Sequence, residues 1–242
     1  MKKKLLKLLF WIAALIVIIV VLNIKVSTRQ GINYSVHTIR IPLYLKVLDF
    51  LDRHYNYQWL VQRIISNSET DKEKVLKIFK WTCENIKKVP DGYPVIDDHV
   101  WHIIVRGYGV VDQSSDVFTT LCNYAGIEAF YNKIFTKDRS SCAILSFAKV
   151  DKRWFVFDPY NGVYFKNKQG KLANIEEIIK GDWVKNSIDT VMQGSGIAGR
   201  KSDIDYTSYL KNLSPITEMG LKRANIQSPM KRLEYEIKKR LR

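Results

Sequence analysis

The chain has only three cysteines, Cys83, Cys122 and Cys142, and none is paired as C-x-x-C. That spacing excludes the usual zinc sites, and an odd count argues against a disulfide framework. Residues 1–30 contain no acid, only Lys2, Lys3, Lys4, Lys7, Lys25 and Arg29 as charged groups. The glycine-rich stretch Gly194-Ser-Gly-Ile-Ala-Gly199 lacks the lysine and following helix of a phosphate loop, so it reads as a linker. No internal repeat is present. What the chain does have is 46% hydrophobic and 12% aromatic residues, enough for a sizeable core and incompatible with wholesale disorder. Its net charge of +15 favours polyanionic partners: anionic lipid, acidic glycan or nucleic acid.

The first strong segment is apolar. Leu5–Leu22 is interrupted only by Lys7, and Leu5 to Ile24 has about the ~20 residues that span a bilayer, with Lys7 able to snorkel. A cleavable signal ends in small residues. Here the run ends in the bulky Val21-Leu-Asn-Ile-Lys-Val26, which favours a retained anchor. Four lysines precede the span, against Lys25 and Arg29 after it, which places the N-terminus in the cytoplasm and the rest outside the cytoplasmic membrane. A domain held there has no access to nucleic acid, so none is expected as a partner. The organisation expected is a cytoplasmic tip and anchor over 1–26, a linker over 27–37, a domain over 38–192 and a C-terminal extension with a basic helix over 193–242.

Within the domain, Pro42–Leu51 and Trp59–Ile65 read as helical pieces. A stronger helix runs over Lys72–Lys87, with Val75, Leu76, Phe79 and Cys83 on one face. Pro90–Pro94 is a turn. Asp97-Asp-His-Val-Trp-His102 clusters two acids and two histidines, but in no metal-ligand template, so no metal is expected. Ala143–Val150 and Arg153–Asp158 form a hairpin around Asp151-Lys152, and Val163–Lys166 adds a further strand. Ala173–Lys180 is a helix capped by Asn174, and Tyr206–Leu213 is helical. Pro229–Arg242 is a basic helix with i,i+4 pairs at Glu234/Lys238 and Glu236/Arg240. It suits a solvated face or an anionic surface.

The stretch with most chemical content is Arg106-Gly-Tyr-Gly-Val-Val-Asp-Gln113, followed by helical spacing of Val117, Phe118, Leu121, Cys122 and Ala125 and a stop at Gly126. Asp112, Ser114 or Ser115 can cap that helix. A glycine turn entering a helix N-terminus suits a nucleophile, because unpaired N–H groups and the dipole stabilise a thiolate or oxyanion. Together with Ala125-Gly-Ile127 and Trp154-Phe-Val-Phe-Asp-Pro159, the stretch resembles bacterial transglutaminase-like (papain-like Cys-His-Asp) domains, over roughly residues 38–180. The resemblance implies an α+β fold, with helices packed on an antiparallel sheet. It puts the family's cysteine on Val111 and its histidine on Ala143, give or take a residue, and leaves only Asp158 of the triad. It also implies a cleft lined by Trp101, Tyr108, Trp154 and Tyr160, with Gly109, Asp112 and Gln113 at the turn. Membrane-anchored proteins of this kind resemble those found with bacterial surface-polysaccharide machinery.

Valine cannot attack a carbonyl and alanine cannot take a proton, so the resemblance implies a pseudoenzyme without cofactor or metal. Its expected partners are the membrane and a polysaccharide or polysaccharide-assembly proteins. The competing reading is an active hydrolase or acyl transferase with a rearranged site using Cys142 or Ser114. Asp158 before Pro159 equally reads as the start of a turn. The charge asymmetry around the span sets the topology. An alkaline phosphatase fused after Arg242 should be active and a fluorescent protein that folds only in the cytoplasm should be dark; the reverse pattern overturns the orientation.

Overall fold

The computed structural model describes residues 2–97, 99–188, 204–219 and 229–241. The linker expected over Gly194–Gly199 lies outside them. Helix α1 (Lys2–Asn23) is long and apolar enough to cross a membrane, and its apolar side chains are exposed. It is followed by strands β1 (Lys25–Ile32) and β2 (Ser35–Pro42), and by the long helix α2 (Leu43–Ile64). Then come α3 (Asp71–Asn85), β3 (Lys87–Lys88), β4 (Ile96–Asp97), α4 (Val100–Arg106), β5 (Tyr108–Gly109) and α5 (Val111–Tyr124). The second half is β6 (Ala129–Phe135), β7 (Cys142–Val150), β8 (Arg153–Asp158), β9 (Val163–Lys166), α6 (Ile175–Ile179) and β10 (Val184–Ser187). Three helices close the described chain: α7 (Tyr206–Leu210), α8 (Ile216–Met219) and α9 (Pro229–Arg240).

Where polarity suggested a linker over 27–37, the chain forms an antiparallel hairpin running from Lys25 opposite Pro42 to Ile32 opposite Ser35. Its turn is Asn33-Tyr34, both at positive φ (48° and 67°), the geometry of a two-residue hairpin loop. A tyrosine in place of the usual glycine hides that turn from a sequence reading. β4 adds to the hairpin through Gly31 and Ile32. The helical pieces 42–51 and 59–65 are parts of one helix. The intervening Asp52–Gln58 is polar but holds no glycine or proline, so nothing interrupts the helix. Its buried Arg53 pairs with Asp49 at 2.9 Å, and its Tyr57 is core.

The main sheet has five antiparallel strands in the order β10-β9-β8-β7-β6. Asp151 and Lys152, again at positive φ, make the β7–β8 turn where the sequence placed it. Helices cover both faces. On one side α2, α3, α4 and α5 pack around Phe79, Phe118 and Phe157, whose rings lie 5.1–5.8 Å apart. Phe118 and Phe157 are wholly buried. Truncating such a ring to alanine typically costs about 3–5 kcal/mol. On the other side α6, α7 and α8 bring Ile178, Tyr206, Leu210 and Met219 against Leu145, Phe147, Val156 and Phe165. The result is a mixed helix and antiparallel-sheet domain behind one apolar helix.

Local signals explain the remaining ends. Thr70 and Glu73 form a reciprocal cap on α3, and Asn174 and Glu177 do the same on α6, as Asn174 promised. Gly126 ends α5 at φ 80°.

Candidate functional site

The site is built at the junction of α4, β5 and α5. Helix α4 ends at Gly107, whose φ of 74° lets the chain reverse into β5. β5 pairs in parallel with β3, Lys87 opposite Tyr108 and Lys88 opposite Gly109. A Cβ on Gly109 would stand 3.0 Å from the Gln113 side chain, so any larger residue would have to displace that side chain. α5 then begins at Val111, the position that aligned with the resembled cysteine.

The capping differs from the expectation. Val110, not Asp112, Ser114 or Ser115, holds the N-cap position. Its N–H donates to Gln113 Oε1 at 3.2 Å, while Asp112 Oδ1 accepts from the adjacent Gln113 N–H at 3.0 Å and caps no residue further along the helix among those described. Ser114 and Ser115 point into the core, and neither hydroxyl has a hydrogen-bond partner among the described residues. The sequence treated them as caps because serine is favoured at helix starts. Packing of the first turn turned them inward.

Gln113 and Arg106 do the fastening. Gln113 Nε2 donates to the Ile96 carbonyl at 2.6 Å, and an Arg106 guanidinium N–H donates to the same oxygen at 2.7 Å. Arg106 also reaches Gln113 Oε1 (3.3 Å) and, through Nε, the Tyr108 carbonyl (3.2 Å). The outer residues of the motif thereby tie the turn to β4, and β4 to the N-terminal hairpin.

Asp158 ends β8. Its Oδ1 accepts the Asn161 backbone N–H at 3.0 Å, and its Oδ2 accepts from Asn161 Nδ2 at 2.8 Å and from the Tyr206 hydroxyl at 2.7 Å. The carboxyl is 2% exposed, and burial pushes its pKa up despite the Asn161 and Tyr206 bonds that pull it down. Its neighbour Cys83, whose thiol donates to the Pro159 carbonyl at 3.3 Å, is pushed up to about 12, first by burial and then by the Asp158 charge. That thiol is no nucleophile near neutral pH.

Alternation along β7 and β8 puts Ala143 and Asp158 on the same sheet face as Phe147 and Val156. α5 packs through Phe118 on the opposite face, against Phe157. The Ala143 face is covered by α7: Ala143 lies in one apolar cluster with Tyr206 and Leu210, and the Ser141 and Tyr209 hydroxyls are 2.8 Å apart. Sequence reading missed Tyr206, because nothing in a tyrosine of a C-terminal extension signals a partner 48 residues upstream.

The expected cleft residues divide. Tyr108, Gly109 and Tyr160 stay near the turn: Lys88, opposite Gly109, has its ammonium 4.8 Å from the Tyr160 ring, and Tyr108 stacks edge-on with Tyr93 at 5.7 Å. Trp101 instead packs on buried Tyr57 among the helices. Trp154, four residues from Asp158, is about 13 Å further along the strand, against Phe130. Of the histidines, His54 Nδ1 is 2.8 Å from the Tyr124 hydroxyl, and His99, whose ring lies 5.8 Å from that of His102, has Nε2 3.7 Å from Asp49. Among the described residues no group of three or more His, Cys, Asp or Glu converges on a metal position; Asp98 lies outside them.

Residues 58–159, from the second half of α2 to the end of β8, match the sequence model of the transglutaminase-like superfamily. They are a transglutaminase-like domain. Similar solved structures include a candidate protease from Parabacteroides distasonis ATCC 8503 (19% identity, TM-score 0.37, covering 51% of this chain and 28% of that one). A candidate cysteine protease from Cytophaga hutchinsonii is 17% identical, with TM-score 0.38 and 59% and 46% covered. A TGase is 12% identical, with TM-score 0.34 and 55% and 43% covered. The chain thus spans less than half the length of each of these. No curated protein matches it.

The buried Asp158 carries a sign for pH. A carboxyl whose folded pKa is raised costs nothing while both states are protonated. Its contribution is lost as pH rises from the unfolded value of about 3.9 through the folded one. The stability advantage of the wild type over Asp158→Asn, from denaturant titrations, should therefore shrink as pH rises above about 4. A difference that grows with pH would contradict the buried placement.

Proposed function

We propose that this transglutaminase-like domain is a membrane-anchored, non-catalytic binding or scaffold component serving synthesis or export of a cell-surface polysaccharide. The observation that carries the first half is the pairing at the site: valine begins the helix where the nucleophile would stand, and Asp158 commits both oxygens to Asn161 and Tyr206. An aspartate that orients a catalytic imidazole accepts its N–H, and the donors to Asp158 are Asn161 and Tyr206, not a histidine. In this reading the glycine turn and its Arg106–Gln113 clamp serve as a rigid frame, and the surface around the half-buried Tyr108 and Tyr160 is the binding surface. Aromatic platforms suit sugar rings.

The membrane half rests on α1 and the lysines before it, with the N-terminus inside and the domain outside. The polysaccharide half rests on the resemblance of anchored proteins of this kind and on the basic surface, which suits an acidic glycan. No nucleic acid and no cofactor belong to the reading.

The full chain purified in detergent should incorporate no amine into glutamine peptides and release no peptide above the level of a Cys83→Ala/Cys122→Ala/Cys142→Ala variant. Turnover lost on Cys142→Ala alone would replace this reading with an enzyme using a rebuilt site.

A further inference from the structure

Helix α2 buries one face through Arg53, Tyr57 and Val61 and, among the described residues, leaves another exposed. Tyr44, Leu48, Leu51, Tyr55 and Trp59 follow each other at spacings of four, three, four and four, which is one stripe of a helix. They are 38%, 58%, 39%, 63% and 54% exposed. The stripe is about 22 Å long, at the rise of an α-helix. Scattered surface leucines need no explanation, but a continuous apolar stripe does.

Three observations say what covers it. The Leu43 N–H donates to the Ile24 carbonyl at 2.9 Å, so the first turn of α2 is fixed at the place where the apolar helix α1 ends. If α1 crosses a bilayer, that place is the headgroup layer. The stripe is also rich in tyrosine and tryptophan, the residues that favour a membrane–water interface. Against α2 packs α9, itself amphipathic: Met230, Leu233 and Ile237 are exposed on one side, and Lys238, Lys239 and Arg240 form its last turn. Lysines and arginines are attracted to a surface of anionic lipid.

We propose that the Tyr44–Trp59 stripe of α2 lies on the bilayer that α1 enters, with the basic end of α9 over anionic headgroups, so that the domain is held flat against the membrane in one orientation. This rests on the reading of α1 as a retained span. Docking along α2 fixes which side of the domain faces outward and leaves the far layer, α6 to α8, away from lipid.

The test uses the full chain in nanodiscs of phosphatidylcholine with or without phosphatidylglycerol. Single cysteines at Leu48→Cys, Ile16→Cys or Lys168→Cys, in a Cys142→Ala background that removes the exposed native thiol, carry an environment-sensitive fluorophore. Acyl-brominated lipid should quench the labels at positions 16 and 48 by about twofold or more, and leave the label at 168 unquenched. Quenching at 48 should be stronger in the phosphatidylglycerol discs and should weaken when Lys238, Lys239 and Arg240 are changed to glutamate. Quenching at 16 without quenching at 48 overturns the docking while sparing the span. No quenching at 16 overturns the span reading, and the docking with it. A label at 48 that is shielded from iodide but not quenched by brominated lipid would mean that a second copy of the chain covers the stripe, and equal quenching in both lipids would remove α9 from the account.

Discussion

One carbonyl organises the molecule. Ile96 O receives both the Arg106 guanidinium and the Gln113 carboxamide. These two side chains flank the glycine turn on either side, so their convergence fixes the exit of α4, the path of β5 and the first turn of α5 together. A charge-assisted bond and a neutral one to the same part-buried acceptor hold the turn more firmly than either could alone. Ile96 is also the residue through which β4 pairs with Ile32 of the hairpin. The turn that would seat a nucleophile is thus tied mechanically to the segment that leaves the apolar helix. The clamp fixes the path of the turn through Arg106 and Gln113 whatever side chain stands at position 111.

The other constraint is the two-sided burial of the sheet. The Phe79, Phe118 and Phe157 rings fill one side, and Tyr206 with Leu210 closes the other. Tyr206 joins core and site: its ring packs edge-on against Phe165 at 5.4 Å while its hydroxyl holds Asp158. A buried carboxyl without such donors would be far costlier, since an unsatisfied charge in a dry interior carries the full loss of solvation. Asp158 is stabilised in place by the segment after the sheet, and the same contacts occupy its oxygens.

Much of this was legible in the sequence. The helix of α5 followed from the spacing of Val117, Phe118 and Leu121, and the β7–β8 hairpin followed from two β-rich runs around Asp151-Lys152. Both are local signals, and local signals survive folding. The hairpin of 25–42 was not legible, because its turn is Asn33-Tyr34, without the glycine that usually marks it. The single helix over 43–64 was not either, because its polar middle buries Arg53 only by pairing it with Asp49. At the site, the turn, Val111, Tyr108 and Tyr160 were placed by motif, whereas Trp101 and Trp154 belong to different packing neighbourhoods. Ser114 and Ser115 read as caps and are core. Tyr206 and the double use of Ile96 O depend on contacts remote in sequence, which no spacing rule reports.

The central claim is that no thiol–imidazole pair operates in this domain. The most direct measurement is the rate at which a thiol-directed electrophile labels Cys142 in the folded protein at neutral pH, in the wild type and in His37→Ala, His54→Ala, His99→Ala and His102→Ala variants. The account predicts slow labelling, at the rate of a simple exposed thiol, unchanged by any of the four substitutions. Rapid labelling abolished by one of them would reveal an activated cysteine with its base, and would contradict the account.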